Sequence, residues 1–140
     1  MSYAQGEINQ MDSEGNRHGV WRKYYNNDRI RYTGNFDHGK EIGVFKYYSA
    51  SNSDFPILVK EYEDQSDRAK VSFYTPSGAL ESKGLMKGKE REGKWLYYHP
   101  DGKSTMSEEN YVNGKLEGDY KTFYQTGEPT EITSYKNGML

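Results

Sequence analysis

Three histidines, a pair of adjacent glutamates and four clustered cations are the residues of this chain best equipped for chemistry. His18, His38 and His99 stand in GNRHG, FDHGK and YHPDG, all turn-like surroundings. A zinc-type centre needs several donors converging on one ion, each about 2 Å from it. The periodicity described below sets His18 and His38 on one side of the chain's path and His99 on the other. The expectation is therefore solvent-exposed turn histidines and no metal site. Glu108 and Glu109 are neighbours in an extended run, where successive side chains point to opposite faces, so they do not make an acid–base pair. GxSxG, HExxH and phosphate-loop patterns are absent. The chain has no cysteine, which excludes disulfides, thiolate zinc and a thiol nucleophile. These residues point to a noncatalytic protein without a cofactor. Arg22, Lys23, Arg29 and Arg31 are the best local candidate for holding an anion.

The rest of the composition narrows the partners. Nineteen Lys plus Arg against 21 Asp plus Glu give a net charge of −2. The signs are interspersed, so nucleic acid is not expected. No apolar run approaches the roughly 18 residues of a membrane span. The start, MSYAQGEINQ, lacks the basic and apolar regions of a secretion signal. The expectation is a cytoplasmic protein, or an exported one already processed.

What must position the charged and aromatic side chains is a repeat. GVWRKYY, GVFKYY, GKWLYY and GDYKTFY open at Gly19, Gly43, Gly93 and Gly118, which stand 24, 50 and 25 residues apart. The double step implies a copy near residue 69, and AKVSFYTPSG lies there, with Ala69 for the glycine and Val71 for the large ring. A second motif interleaves: FDHGKEIG, YEDQSDRA, LMKGKEREG, YVNGKLEG and the shorter YKNGML. The spacing predicts an N-terminal half-repeat over 1–18 and five units at 19–42, 43–68, 69–92, 93–117 and 118–140.

Within each unit the period is two. In GKWLYY, Trp95 and Tyr97 face one way and Leu96 and Tyr98 the other. HPDG, TPSG and QTG supply one set of turns, and NGK, DHGK and MKGK the other. Each unit therefore reads as a β-hairpin, and the whole as an all-β, single-layer antiparallel meander of about ten or eleven strands. SASNSD ahead of Pro56 lengthens the second unit as a surface excursion. Trp21, Phe45, Val71, Trp95 and Tyr120 form a column expected to hold neighbouring units together by ring-on-ring contact, beside a second row of Tyr47, Phe73 and Tyr97. The other face alternates cations and rings. Arg22, Tyr24, Lys46, Tyr48, Tyr74, Tyr98, Lys121 and Phe123 are its candidate partner-binding residues.

YTGNFDHGKEIG closely resembles the MORN repeat, and the GxWxxYY…YxNGK rhythm is similar to its bacterial variant, found in the YwqK-like antitoxin family. The resemblance implies a β-hairpin array that serves as a recognition or scaffolding module. Neutralisation of a toxin by covering its active surface is one form of this. It also implies an alternative: peripheral attachment to membranes through acidic phospholipid. The departures at Gln65, Ala69 and Val71 make the third unit the least expected to bind. Another protein is the expected partner, and an edge-to-edge homodimer through the last strand is a further expectation.

Overall fold

The computed structural model describes residues 7–64 and 66–139. Gln65, a departure noted above, lies outside the described residues. The strands are β1 (Gln10–Met11), β2 (Arg17–Tyr24), β3 (Ile30–Asp37), β4 (Lys40–Tyr47), β5 (Leu58–Tyr62), β6 (Arg68–Tyr74), β7 (Leu80–Lys87), β8 (Glu90–Tyr98), β9 (Thr105–Val112), β10 (Lys115–Leu116), β11 (Gly118–Phe123) and β12 (Pro129–Tyr135). They form one antiparallel sheet in sequence order, with the short β10 paired to β9 beside the path. This is the meander that the period-two pattern predicts, and no helix long and apolar enough to cross a membrane is present among the described residues. The two-residue β1 and β10 raise the strand number to 12 among the described residues.

Local chemistry explains the turns. His38-Gly39, Asn113-Gly114 and Asn137-Gly138 all have positive φ, from 46° to 90°. Two such residues in succession make the hairpin turn whose twist matches the flanking strands. At the other end of the hairpins, backbone N–H groups of Tyr25, Thr75 and Tyr124 donate to the carbonyls of Arg29, Ala79 and Glu128 at 2.8, 2.8 and 2.9 Å. The second unit replaces this turn with the loop 48–57, where Asn52 reaches across to the Pro76 carbonyl, 3.1 Å away.

Bulges recur at fixed places. The β3–β4 ladder shifts between Thr33 and Asn35, and the β7–β8 ladder between Lys83 and Leu85. Both lie opposite an opening glycine, Gly43 or Gly93, whose φ is +67° or +66°. The Ala69 position shows no positive φ and no bulge, and β5 pairs regularly on both sides. Bulges bend a strand and sharpen its twist, so the two ladders flanking β5 lack that source of bending.

One face holds the core. Trp21, Phe45, Val71 and Trp95 are 5%, 0%, 1% and 0% exposed. The expected column is therefore buried, but its contacts run through intermediaries. Phe36 stands between Trp21 and Phe45, with centroids 6.2 and 5.2 Å away in edge-to-face geometry. Tyr62 meets Phe45 edge-on at 6.0 Å. Each such pair contributes about 0.5–1.5 kcal/mol beyond area burial. Tyr120 is only partly buried and meets Tyr135 at 6.0 Å. The cohesion thus comes from rings of both strands of the hairpins as well as from the column itself, where Val71 and Trp95 share one buried cluster.

Two glycines make this burial possible in one layer. A Cβ on Gly34 would lie 2.2 Å from the Phe45 ring, and one on Gly84 would lie 2.4 Å from Trp95. These two rings lie on bare backbone, and cations cover the two tryptophans of the same face. Arg17 sits 5.1 Å from the Trp21 ring centre, and Arg91 sits 5.1 Å from that of Trp95. The Trp95 indole N–H donates to the Leu85 carbonyl at 2.8 Å.

Candidate functional site

The opposite face carries a concavity. Strands β5 to β8 enclose a groove of about 460 Å³. Val59, Tyr74, Leu85 and Leu96 give it an apolar lining, and Lys70, Lys83 and Lys94 a cationic one, with Glu61 beside them. Ser72 explains the depression. It occupies the position that Arg22, Lys46, Leu96 and Lys121 fill in the other units, and its short side chain leaves space above the sheet. A second hollow of about 250 Å³ continues from Val59 and Tyr74 to Lys46, Phe55 and Pro56. The third unit, expected to be the least suited to binding, thus lies under the larger hollow.

The structure gathers some of the sequence-derived candidates and separates others. Tyr74 lines both hollows and Lys46 the second. Arg22 and Tyr24 are exposed on β2, beyond the groove, and the Arg22 backbone N–H donates to the Asn9 side chain at 2.7 Å. Tyr48 is half-buried, and its carbonyl accepts the Tyr25 hydroxyl at 2.6 Å. Tyr98, Lys121 and Phe123 are half-buried and line neither hollow. The four proposed anion ligands do not converge. Lys23 lies on the aromatic face with its ammonium 5.7 Å from the Trp21 ring centre, opposite Arg22 on the same strand. Arg31 lies 5.9 Å from the Tyr25 ring, and Arg29 belongs to the preceding turn.

Sequence reasoning missed Val59, Lys83 and Leu85 because it read the face from the first strand of each unit only. Pairing alone places them: Val59 stands opposite Ser72 and Lys46, Lys83 opposite Ser72 and Leu96, and Leu85 opposite Lys70. The signal was one small residue in a row of large ones.

A second constellation lies at the other end of the sheet. His18 and His38 stack with ring centres 4.3 Å apart. The His38 backbone N–H donates to His18 Nδ1 at 3.0 Å, and His38 Nδ1 lies 2.7 Å from Asp12 Oδ2. Asp37 Oδ1 is 3.9 Å from His38 Nε2 and 4.0 Å from His18 Nδ1. The hydrogen bond from His38, reinforced by the Asn16 N–H, lowers the Asp12 carboxyl to about 2. The same bond raises the His38 imidazole above its ordinary value. The expectation of free, exposed turn histidines is corrected: all three are hydrogen-bonded into the fold, and His38 alone of them is exposed. His18 is half-buried and takes the His38 amide. His99, also half-buried, joins neighbouring units by donating from Nε2 to the Phe123 carbonyl at 2.9 Å.

On the aromatic face, Glu41 accepts the Tyr47 hydroxyl at 3.1 Å and the Tyr62 hydroxyl. Burial, followed by the nearby carboxylate, raises both phenols well above the usual tyrosine range, so they remain hydrogen-bond donors. This arrangement ties β4 to β5, and none of the three residues lines either hollow.

The repeat frame and this hairpin geometry meet in one comparison. Residues 17–38, 91–113 and 116–137 match the MORN repeat variant. The MORN-variant segments contain β2 with β3, nearly all of β8 with β9, and β11 with β12. The unmatched stretch between them holds Ala69, Val71 and the long loop, where the repeat signature has decayed but the hairpins persist. MORN repeats are generally associated with protein-binding or membrane-binding modules and are generally noncatalytic. No curated protein and no solved structure matches the chain.

Proposed function

We propose that this chain is a noncatalytic recognition module that receives an extended, acidic segment of another protein in the groove over β5 to β8. The groove itself carries this reading, because it joins an apolar floor to lysines from three successive strands. An extended peptide alternates its side chains, so apolar residues on one side meet Val59, Leu85, Leu96 and Tyr74. Carboxylates at the remaining positions reach Lys70, Lys83 and Lys94. Only Glu61 among the lining residues is acidic, and Glu108 lies 3.8 Å from Lys94 outside the lining. The balance of the groove is therefore cationic although the chain is net negative. Electrostatic complementarity of this kind favours encounter and selects against basic partners. Covering the active surface of a toxin, the role implied by the family resemblance, is one form such recognition would take.

The test is selection of extended peptides from a random library against the protein and against a Lys70→Glu, Lys83→Glu, Lys94→Glu variant. Peptides alternating apolar and acidic residues are expected, with at least tenfold weaker capture by the variant. Peptides without acidic bias, or equal capture by both proteins, would overturn the reading. A separate arm measures co-sedimentation with phosphatidylserine vesicles at low salt. Binding there that disappears on charge reversal at Arg22, Lys23, Arg29 and Arg31 would favour acidic phospholipid as the partner instead.

A further inference from the structure

We propose that the corner formed by His18, Asp37 and His38 binds a divalent cation of the zinc type, with Asp12 as the outer carboxylate that orients His38. The repeat frame isolates what is special about this corner. In the last unit, the residue equivalent to His38 is Asn137, which also has positive φ, and its N–H is capped by the Glu117 carboxylate at 2.7 Å. Asn113 fills the same turn position in the fourth unit. Asparagine and glutamate therefore perform the structural duties, and neither duty calls for an imidazole. The first unit places imidazoles at both positions, where they stand side by side.

The ligand geometry follows from the hydrogen bonds. Asp12 takes the Nδ1–H of neutral His38, which fixes the tautomer that leaves the Nε2 lone pair free. A carboxylate on the far nitrogen is the usual support of a metal-binding histidine. One ligand atom from each of His18, Asp37 and His38 lies within 4.8 Å of the others. Tetrahedral zinc with bonds of about 2.0–2.2 Å needs donors roughly 3.3–3.5 Å apart. The 3.9 and 4.0 Å separations to Asp37 Oδ1 must close by about half an ångström. The side chains are 44%, 46% and 65% exposed for His18, Asp37 and His38, so solvent borders all three and leaves room for that movement. His18 Nδ1 exchanges the His38 amide for the ion, and that surface amide then meets water. Two nitrogens and one carboxylate suit zinc, copper or nickel better than magnesium or calcium, which prefer oxygen shells. Such an ion would fasten β2 and the β3–β4 turn to the segment carrying Asp12, closing the first edge of the ribbon.

The decisive measurement is calorimetric titration of the full chain with Zn²⁺ at pH 7.5, followed by amide chemical shifts. One equivalent is expected to bind, with the largest shifts at residues 12, 18, 37 and 38, and Mg²⁺ is expected to give no binding. His38→Asn keeps the turn residue used elsewhere in the chain, and His18→Gln keeps an acceptor for the capped amide, so both variants fold. Each is expected to weaken Zn²⁺ at least tenfold, and Asp12→Asn about tenfold through loss of orientation. His99→Gln is expected to leave Zn²⁺ affinity unchanged. Absence of Zn²⁺ binding, affinity retained in His38→Asn and His18→Gln, or equal binding of Mg²⁺ would each overturn the assignment.

Discussion

The aromatic face solves the same packing problem twice, once in the first two units and once in the next two. In the first half, Trp21, Phe36 and Phe45 form the buried cluster, and three tyrosines surround it. In the second half, Trp95 is the one large buried ring, and it covers Ala69 and Val71. Both halves seat a ring on a glycine, Phe45 on Gly34 and Trp95 on Gly84. The corresponding positions in units two and four are Lys60 and Glu109, opposite Phe45 and Trp95 on the far side. The structural repeat is thus a pair of hairpins, although the sequence repeats every single hairpin. Tyr62 packs against both clusters and is the seam between them.

The largest expected effects test this pairing. Trp95→Ala should destabilise the protein by about 3–5 kcal/mol in urea unfolding, because nothing else fills the space over Val71. Gly84→Ala should cost about 1–3 kcal/mol through overpacking against a ring with no room to move. In a Trp95→Ala background most of that cost should vanish, whereas Lys60→Ala should show no coupling to Phe45. Additive losses at Gly84 and Trp95 would break the comparison.

A smaller effect is expected within the first half. The Tyr32 hydroxyl is buried and makes no hydrogen bond, while Tyr47 beside it reaches Glu41. Tyr32→Phe should therefore raise stability by about 1 kcal/mol, and Tyr47→Phe should lower it by a similar amount. Thermal unfolding of the two variants would show opposite signs, and a loss in both would refute the distinction.

The smallest effect separates two equivalent turns. After β2 the turn is braced by Asn27, which accepts the Arg29 N–H at 3.0 Å. After β8 the turn is braced by Asp101, which accepts the Ser104 hydroxyl at 2.6 Å and the N–H groups of Lys103 and Ser104. The hydroxyl bond, then the amides, depress the Asp101 carboxyl to about 2. A depressed carboxylate contributes its bracing above its unfolded value near 3.8 and loses it as pH falls through about 2. Amide shifts of Lys103 and Ser104 should titrate in that acid window, Arg29 should not, and Asp101→Asn should abolish the step.

Much of the architecture was legible because turns and alternation are local. Gly43, the DHGK and NGK turns and the Trp95–Tyr97 alternation each act within a few residues of themselves. The role of Gly34 was not legible in this way. Its function depends on a ring 11 residues away that folding brings over it, and the residue alone looks like one more turn glycine. The groove escaped for a related reason. It arises where short Ser72 meets second-strand residues, whereas the candidates Tyr24, Tyr98 and Phe123 were read from one row. Strand alternation, already used to pair Trp95 with Tyr97, also separates Arg22 from Lys23, and neighbours in sequence proved poor guides to a shared anion site. The histidine corner required the 20-residue offset between a turn and its cap, visible only once Asn137 and Glu117 showed the same bond.

Seating a ring on bare backbone in every second hairpin has a consequence for how such a ribbon can change length. Excising units two and three together would deliver Trp95 onto Gly34, preserving the seat. Excising unit three alone would press that indole against Lys60. Growth and shrinkage by gene rearrangement should therefore proceed in even steps, and an odd step would leave one large ring with nowhere to lie.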